Sequence, residues 1–152
     1  MGSLHKTFWG LLLMAALATA CGQPTGRHAF QMVTPGSCDT LTAFTFEAQL
    51  EDTTALYHCE LCVLMKPIEA DILPLAIEFL PPTGEGFEET FEVPLEQYRK
   101  ARRTIRPMEF GTAWKDLQVR PEDAGIWKIR FRITDPAAAR ALMGFGFYYD
   151  QQ

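Results

Sequence analysis

Ile126-Trp127-Lys128-Ile129-Arg130-Phe131-Arg132-Ile133-Thr134 (IWKIRFRIT) alternates apolar and polar side chains without a break. A period of two is the signature of a strand with one face buried and one in water. Trp127, Ile129, Phe131 and Ile133 form the core face, and Lys128, Arg130, Arg132 and Thr134 form a cationic, wet one. One-sided burial of this kind belongs to antiparallel sheets. Asp135-Pro136 ends the strand, and Ala137–Leu142 has room for one or two turns of helix at most. Met143–Tyr149 (MGFGFYY) reads as a last strand with Phe145, Phe147 and Tyr149 on one face. Gly144 and Gly146 then share the other face, which implies a close backbone approach or a bulge.

The same period runs through the upstream chain. Ala43–Leu50 (AFTFEAQL) places Phe44, Phe46, Ala48 and Leu50 together. Leu56–Met65 (LYHCELCVLM) alternates as well, and its second face is half apolar, as expected of a strand covered on both sides. Leu75–Leu80, the turn Pro81-Pro82-Thr83-Gly84-Glu85-Gly86 and Phe87–Val93 read as a hairpin. Pro94 to Arg106 breaks the pattern and fits a short helix or irregular insertion opened by Pro94. Regularly spaced strands with Gly/Pro turns predict an all-β, antiparallel β-sandwich.

At the other end, a basic start (His5, Lys6), an apolar run Phe8–Leu17 and small Ala18-Thr19-Ala20 precede Cys21. This is the layout of an export signal, and the run of about ten residues is too short to span a bilayer as a helix. A cysteine directly after the cleavage site marks a lipoprotein, anchored to the membrane through acyl chains on Cys21. Simple secretion is the rival reading, because Ala18-Thr19-Ala20 also satisfies an A-x-A cleavage rule. The expected division is a signal peptide over 1–20, a lipidated Cys21 with a flexible tether over 21–30, and the sandwich domain over 31–152. Of the 152 residues, 1–21 hold one lysine and no acid, so the remaining 131 carry 13 basic and 19 acidic side chains. That is enough chain for one core, and the acidic balance argues against a nucleic-acid partner.

Export places Cys38, Cys59 and Cys62 in an oxidising compartment. Cys59 and Cys62 form a C-x-x-C, but on a strand residues three apart point to opposite faces, unlike a redox motif opening a helix. Core thiols or a bridge to Cys38 remain, with Cys38 and Cys59 as the candidate pair. If Cys21 is lipidated, three cysteines are left and one has no mate. His58 stands beside Cys59, yet no second paired-ligand element has zinc-site spacing, so no metal is expected. Arg99, Lys100, Arg102, Arg103 and Arg106 are the one dense charge feature, suited to a protein partner or anionic headgroups, against the plainer reading of a solvated segment. Trp114 and Tyr98 fall in irregular stretches and are the candidates for an exposed sugar-stacking contact. No nucleophile elbow, phosphate loop or triad order is present, so neither enzymatic activity nor a cofactor is expected.

Two resemblances add to this. Glu122-Asp123-Ala124-Gly125-Ile126-Trp127 resembles the corner that enters a late strand of immunoglobulin-like domains, which makes the expected sandwich immunoglobulin-like. Over most of the chain after Cys21, the order of Phe44-x-Phe46, Asp52-Thr53-x-x-x-Tyr57, Leu73-Pro74-Leu75-Ala76-Ile77, Pro82-x-Gly84, Pro121-x-x-x-Gly125-x-Trp127-x-Ile129 and Leu142-Met143-Gly144-Phe145-Gly146-Phe147 is similar to the gliding-motility lipoprotein GldH family of Bacteroidetes. The chain departs from that pattern at Leu64-Met65-Lys66-Pro67, after the tyrosine strand. The resemblance implies a non-enzymatic envelope lipoprotein tied to the gliding and associated secretion machinery, with protein partners there. A carbohydrate- or other ligand-binding envelope module is the alternative. Surface-exported lipoproteins of these bacteria tend to carry acids after the cysteine. Gly22-Gln23-Pro24-Thr25-Gly26-Arg27 has none, so an outer-membrane protein facing the periplasm is expected.

Overall fold

The computed structural model describes residues 26–96 and 108–152. They form eight strands: β1 (Gly26–Met32), β2 (Ala43–Leu50), β3 (Tyr57–Met65), β4 (Ile72–Leu80), β5 (Phe87–Pro94), β6 (Met108–Leu117), β7 (Gly125–Ile133) and β8 (Leu142–Gln151). A six-residue helix, α1 (Pro136–Ala141), sits between β7 and β8. Asp135 caps it by accepting the Ala138 N–H at 2.7 Å, with Pro136 at the first position.

All pairings are antiparallel, in two four-stranded sheets ordered β1-β8-β3-β6 and β2-β7-β4-β5. The expected antiparallel sandwich is therefore what forms. Within that class the strand order is the jelly-roll one, two Greek keys wound together, in which nearly every connection crosses between sheets.

β2 and β7 match their sequence patterns closely. Phe44, Phe46, Ala48 and Leu50 are buried, and so are Trp127, Ile129, Phe131 and Ile133. Rings from both sheets meet in the middle: Phe131 lies 5.2 Å from Phe145 and 5.7 Å from Phe147, and Phe46 lies 5.9 Å from Phe131. The outer face of β7 is less cationic than its sequence suggests. Arg130 reaches Glu78 on β4 at 2.8 Å and Arg132 reaches Glu88 on β5 at 3.0 Å. Glu78 and Glu88 are themselves cross-strand partners. The arginines thus separate two like charges that would otherwise repel.

Two strands were not legible. Residues 26–30, expected as tether, belong to β1, which pairs with β8 along its length. Its apolar residues Phe30 and Met32 point away from the core, so the usual inward pattern is inverted. β6 carries an irregularity: Cys59 pairs with Lys115 and Glu60 with Ala113, leaving Trp114 as an extra residue. A bulge breaks the period of two at that point. β4 also begins at Ile72 rather than Leu75, with Pro74 inside the strand.

The glycines of β8 do accommodate a close approach. The Phe30 ring lies across them: a Cβ on Gly144 would stand 2.4 Å from Phe30 Cε1, and one on Gly146 2.4 Å from Phe30 Cδ2. An edge strand is pinned to its neighbour by one ring over two bare backbone positions.

Candidate functional site

Antiparallel order fixes which loops share an end of the sandwich. β1 begins, β2 ends, β4 ends, β5 begins and β7 begins at one end, together with the start of β3 and the end of β8. The loops 51–56, 81–86 and 118–124 cluster there. At the opposite end lie the 33–42 loop, α1, the 66–71 loop and the junctions at Pro94 and Met108. Two clefts among the described residues both belong to the first end, where β1 starts.

The first cleft, of about 390 Å³, is lined by Gln49 of β2, by Glu51 and Asp52 of the β2–β3 turn, by Arg27, and by Tyr57 and Tyr149. The Tyr149 hydroxyl accepts the Gln49 N–H and the Tyr57 hydroxyl accepts the Asp52 N–H, both at 2.8 Å. Asp52 in turn accepts the Thr54 N–H and hydroxyl and the Gln151 amide, which holds its pKa below the usual carboxylate range. Both tyrosine rings are buried in the core. Only their polar tips meet the cleft, so it offers no aromatic surface.

The second cleft, of about 430 Å³, lies between the β4–β5 turn and the corner before β7. Asp123 organises it. The Thr83 hydroxyl donates to Oδ1 at 2.6 Å, and Arg120 Nε and Nη2 donate to Oδ2 at 2.8 and 2.6 Å. The Thr83 hydroxyl and the Arg120 guanidinium hold its carboxyl below the ordinary range. Its carbonyl accepts the Trp127 indole N–H at 2.7 Å. Gly125 has φ +142°, and a Cβ there would meet Pro82 Cγ at 3.2 Å, so only glycine lets the corner close on the turn. Phe87 forms one wall. One side of its ring stacks on its cross-strand partner Phe79 at 4.6 Å, yet the residue is 45% exposed.

Trp114 does not play the role expected for it. It stacks on Phe79 at 5.4 Å and meets Phe131 edge-on at 5.6 Å, packed against the core. The bulge turns it inward. Phe87, read from sequence only as a strand start, is the aromatic that the fold leaves half in solvent. Its parity with Phe91 along β5 gave the only hint, since the more exposed strand ends lie at sandwich rims.

Cys38, Cys59 and Cys62 are all free. The expected Cys38–Cys59 pair is corrected by geometry. Gly36, in the loop that carries Cys38, donates to Arg140 at the α1 end of the sandwich. Cys59 lies six residues along β3 from Met65 at that end, roughly 20 Å of strand, whereas a disulfide needs Cα atoms within about 7 Å. Cys59 and Cys62 point to opposite faces, Cys59 fully buried and Cys62 half-buried. Burial pushes the Cys59 thiol up to about 12 and raises Cys62 as well. His58 is spoken for: its Nδ1 lies 2.7 Å from Asp116 Oδ1 and its Nε2 3.4 Å from Glu60. Among the described residues no three His, Cys, Asp or Glu side chains converge to hold a metal ion, and no helix is long and apolar enough to cross a membrane.

Cys21, Tyr98 and the basic residues Arg99, Lys100, Arg102, Arg103 and Arg106 lie outside the described residues, as does the signal segment; the short helix expected to open at Pro94 lies outside them from residue 97 onward, and Pro94 itself is the last residue of β5 rather than a helix start.

No family model and no curated protein matches this sequence. Among solved structures the chain is similar to tripeptidyl peptidase 2, with a TM-score of 0.44, 7% identity and coverage of 84% of this chain and 10% of that one. It is also similar to latent PorU from Porphyromonas gingivalis, with a TM-score of 0.30, 8% identity and coverage of 88% and 13%. For the enzymatically active domain of tailspike protein 4 from bacteriophage CBA120 the values are 0.35, 13%, 86% and 18%. This chain spans less than a fifth of each of those three. Likenesses this distant carry no argument about activity.

Proposed function

We propose that this protein is a lipid-anchored, non-enzymatic component of the cell envelope, held on the outer membrane through Cys21 with its sandwich in the periplasm. It acts by contact with envelope partners, and the GldH resemblance points to the gliding and associated secretion machinery. The observation that supports this reading best is the position of β1. β1 begins at Gly26, five residues after Cys21, and five residues reach at most about 18 Å. An acylated Cys21 would therefore hold one defined end of the domain, with the loops 51–56, 81–86 and 118–124, close to the bilayer.

The basic cluster then takes on a different meaning. The 95–107 connection leaves β5 at Pro94 and enters β6 at Met108, both at the far end. Arg99, Lys100, Arg102, Arg103 and Arg106 fall within that connection and carry the positive charge that an acidic protein partner would complement. Cross-linking of the natively lipidated protein in cells, followed by mass spectrometry, tests the reading. Envelope proteins linked near residues 99–106 are expected, and their loss when the five basic residues become serine. Absence of any envelope partner from both samples would count decisively against it, as would incorporation of radiolabelled palmitate into a Cys21→Ser variant.

A further inference from the structure

We propose that the cleft between the 81–86 turn and the 120–127 corner is a saccharide-binding site. This goes beyond the contact role above and does not depend on it. The argument begins with Phe87. One side of its ring is stacked on Phe79, which is fixed in the core, while the rest of the ring borders the cleft. A rigid, half-exposed ring beside polar groups is the surface on which the apolar C–H face of a pyranose packs.

The rim supplies the other half of the chemistry. Glu85 and Glu122 are exposed carboxylates that accept hydrogen bonds, and the Arg120 guanidinium donates them. Arg120 commits Nε and Nη2 to Asp123, which leaves Nη1 on the Glu122 side, 3.4 Å from its carboxylate. Charges of both signs within one small cleft select the ligand class. An anion meets two carboxylates, a simple cation meets the guanidinium, and an apolar ligand takes water from all three and offers no hydrogen bond in return. Vicinal hydroxyls donate and accept at adjacent positions and satisfy both signs at once. The floor is already ordered by Thr83, Asp123 and Trp127, so little conformational freedom is lost on binding.

The glycan could come from a cell-wall strand or from a membrane glycolipid, and soluble probes separate the two. The full chain, purified with its anchor in detergent, is titrated with chitotriose, with maltotriose and with core oligosaccharide released from lipopolysaccharide. The readout is the assigned Trp127 indole N–H resonance, which reports on the Asp123 carbonyl beside the cleft. Saturable shifts with chitotriose point to a cell-wall glycan, and shifts with the core oligosaccharide to a glycolipid. Phe87→Ala is expected to weaken the binding about ten-fold or more, while Phe87→Tyr retains it. Should Phe87→Ala lose its fold, the exposed pair Glu85→Gln and Glu122→Gln decides, with weakening of similar size expected. No saturable shift from any of the three saccharides up to tens of millimolar, or equal affinity in these variants, overturns the assignment.

Discussion

Nδ1 of His58 sits 2.7 Å from Asp116 on β6, with Glu60 two residues on along β3 and Asp150 opposite on β8. The hydrogen bond to Asp116 raises its pKa above the ordinary histidine value, aided by the nearby negative charge. A folded-state pKa above the unfolded one stabilises the fold below the unfolded value, about 6.5, and that stability is lost as pH rises through the folded value. Wild type is therefore expected to lose stability relative to Asp116→Asn as pH increases from 6 to 9, measured as urea midpoints. An NMR titration of His58 should give a pKa above 6.5 in wild type and a lower one in Asp116→Asn. Parallel midpoints across that range would remove His58 as the source. The cysteines yield a second expectation. Thiol titration without reductant should find Cys38, Cys59 and Cys62 all free after denaturation, and Cys59 unreactive at pH 8 in the native state, since its thiolate is suppressed by burial. Recovery of only one thiol after denaturation would mean a bridge that this packing does not allow.

At the level of elements, legibility followed the clarity of the pleat. β2 and β7 were readable because each alternates cleanly between core and solvent, and β5 was readable from the turn before it and from Phe91 and Val93. β1 was not, because Phe30 and Met32 face outward and Phe30 serves as a lid for Gly144 and Gly146 rather than as core. β6 was not, because the extra residue at Trp114 resets the alternation halfway along. The same two features hid the candidate site. Trp114 looked exposed for want of a strand to hold it, and Phe87 looked ordinary, because its exposure depends on where the β4–β5 turn lands against a corner forty residues away. The glycine pair is directly testable. Gly146→Ala would place a Cβ 2.4 Å from Phe30 Cδ2 and 3.2 Å from both the Ala29 carbonyl and Cys62 Cβ. A loss of about 1–3 kcal/mol is expected, the usual cost of overpacking, read from chemical denaturation. Pairing it with Phe30→Ala should recover part of that loss, although Ala29 and Cys62 still crowd the site. Strictly additive effects would show that the ring is not what constrains the position.

Across the whole molecule, an acyl anchor at Cys21 as proposed would give each end of the sandwich a different neighbourhood. On vesicles, a fluorophore at Thr83 of the lipidated protein should be quenched by headgroup-attached quenchers more strongly than one at Ser37 or Glu69, which sit at the opposite end. Equal quenching would mean that the domain lies on its side or tumbles on its tether. The strand order carries one more consequence, and it concerns time. Of the six strand pairings among the described residues, only β4–β5 joins consecutive strands; every other pairing waits for segments far apart in sequence to meet. Such topologies fold in milliseconds to seconds, far more slowly than chains rich in local contacts. β8 is central to its sheet yet last in sequence, so β1 and β3 have no shared partner until the final ten residues arrive. Exported as proposed above, the chain would thus remain a loose polymer, able to be threaded through a translocation pore, and would close into a rigid body only after β8 had crossed.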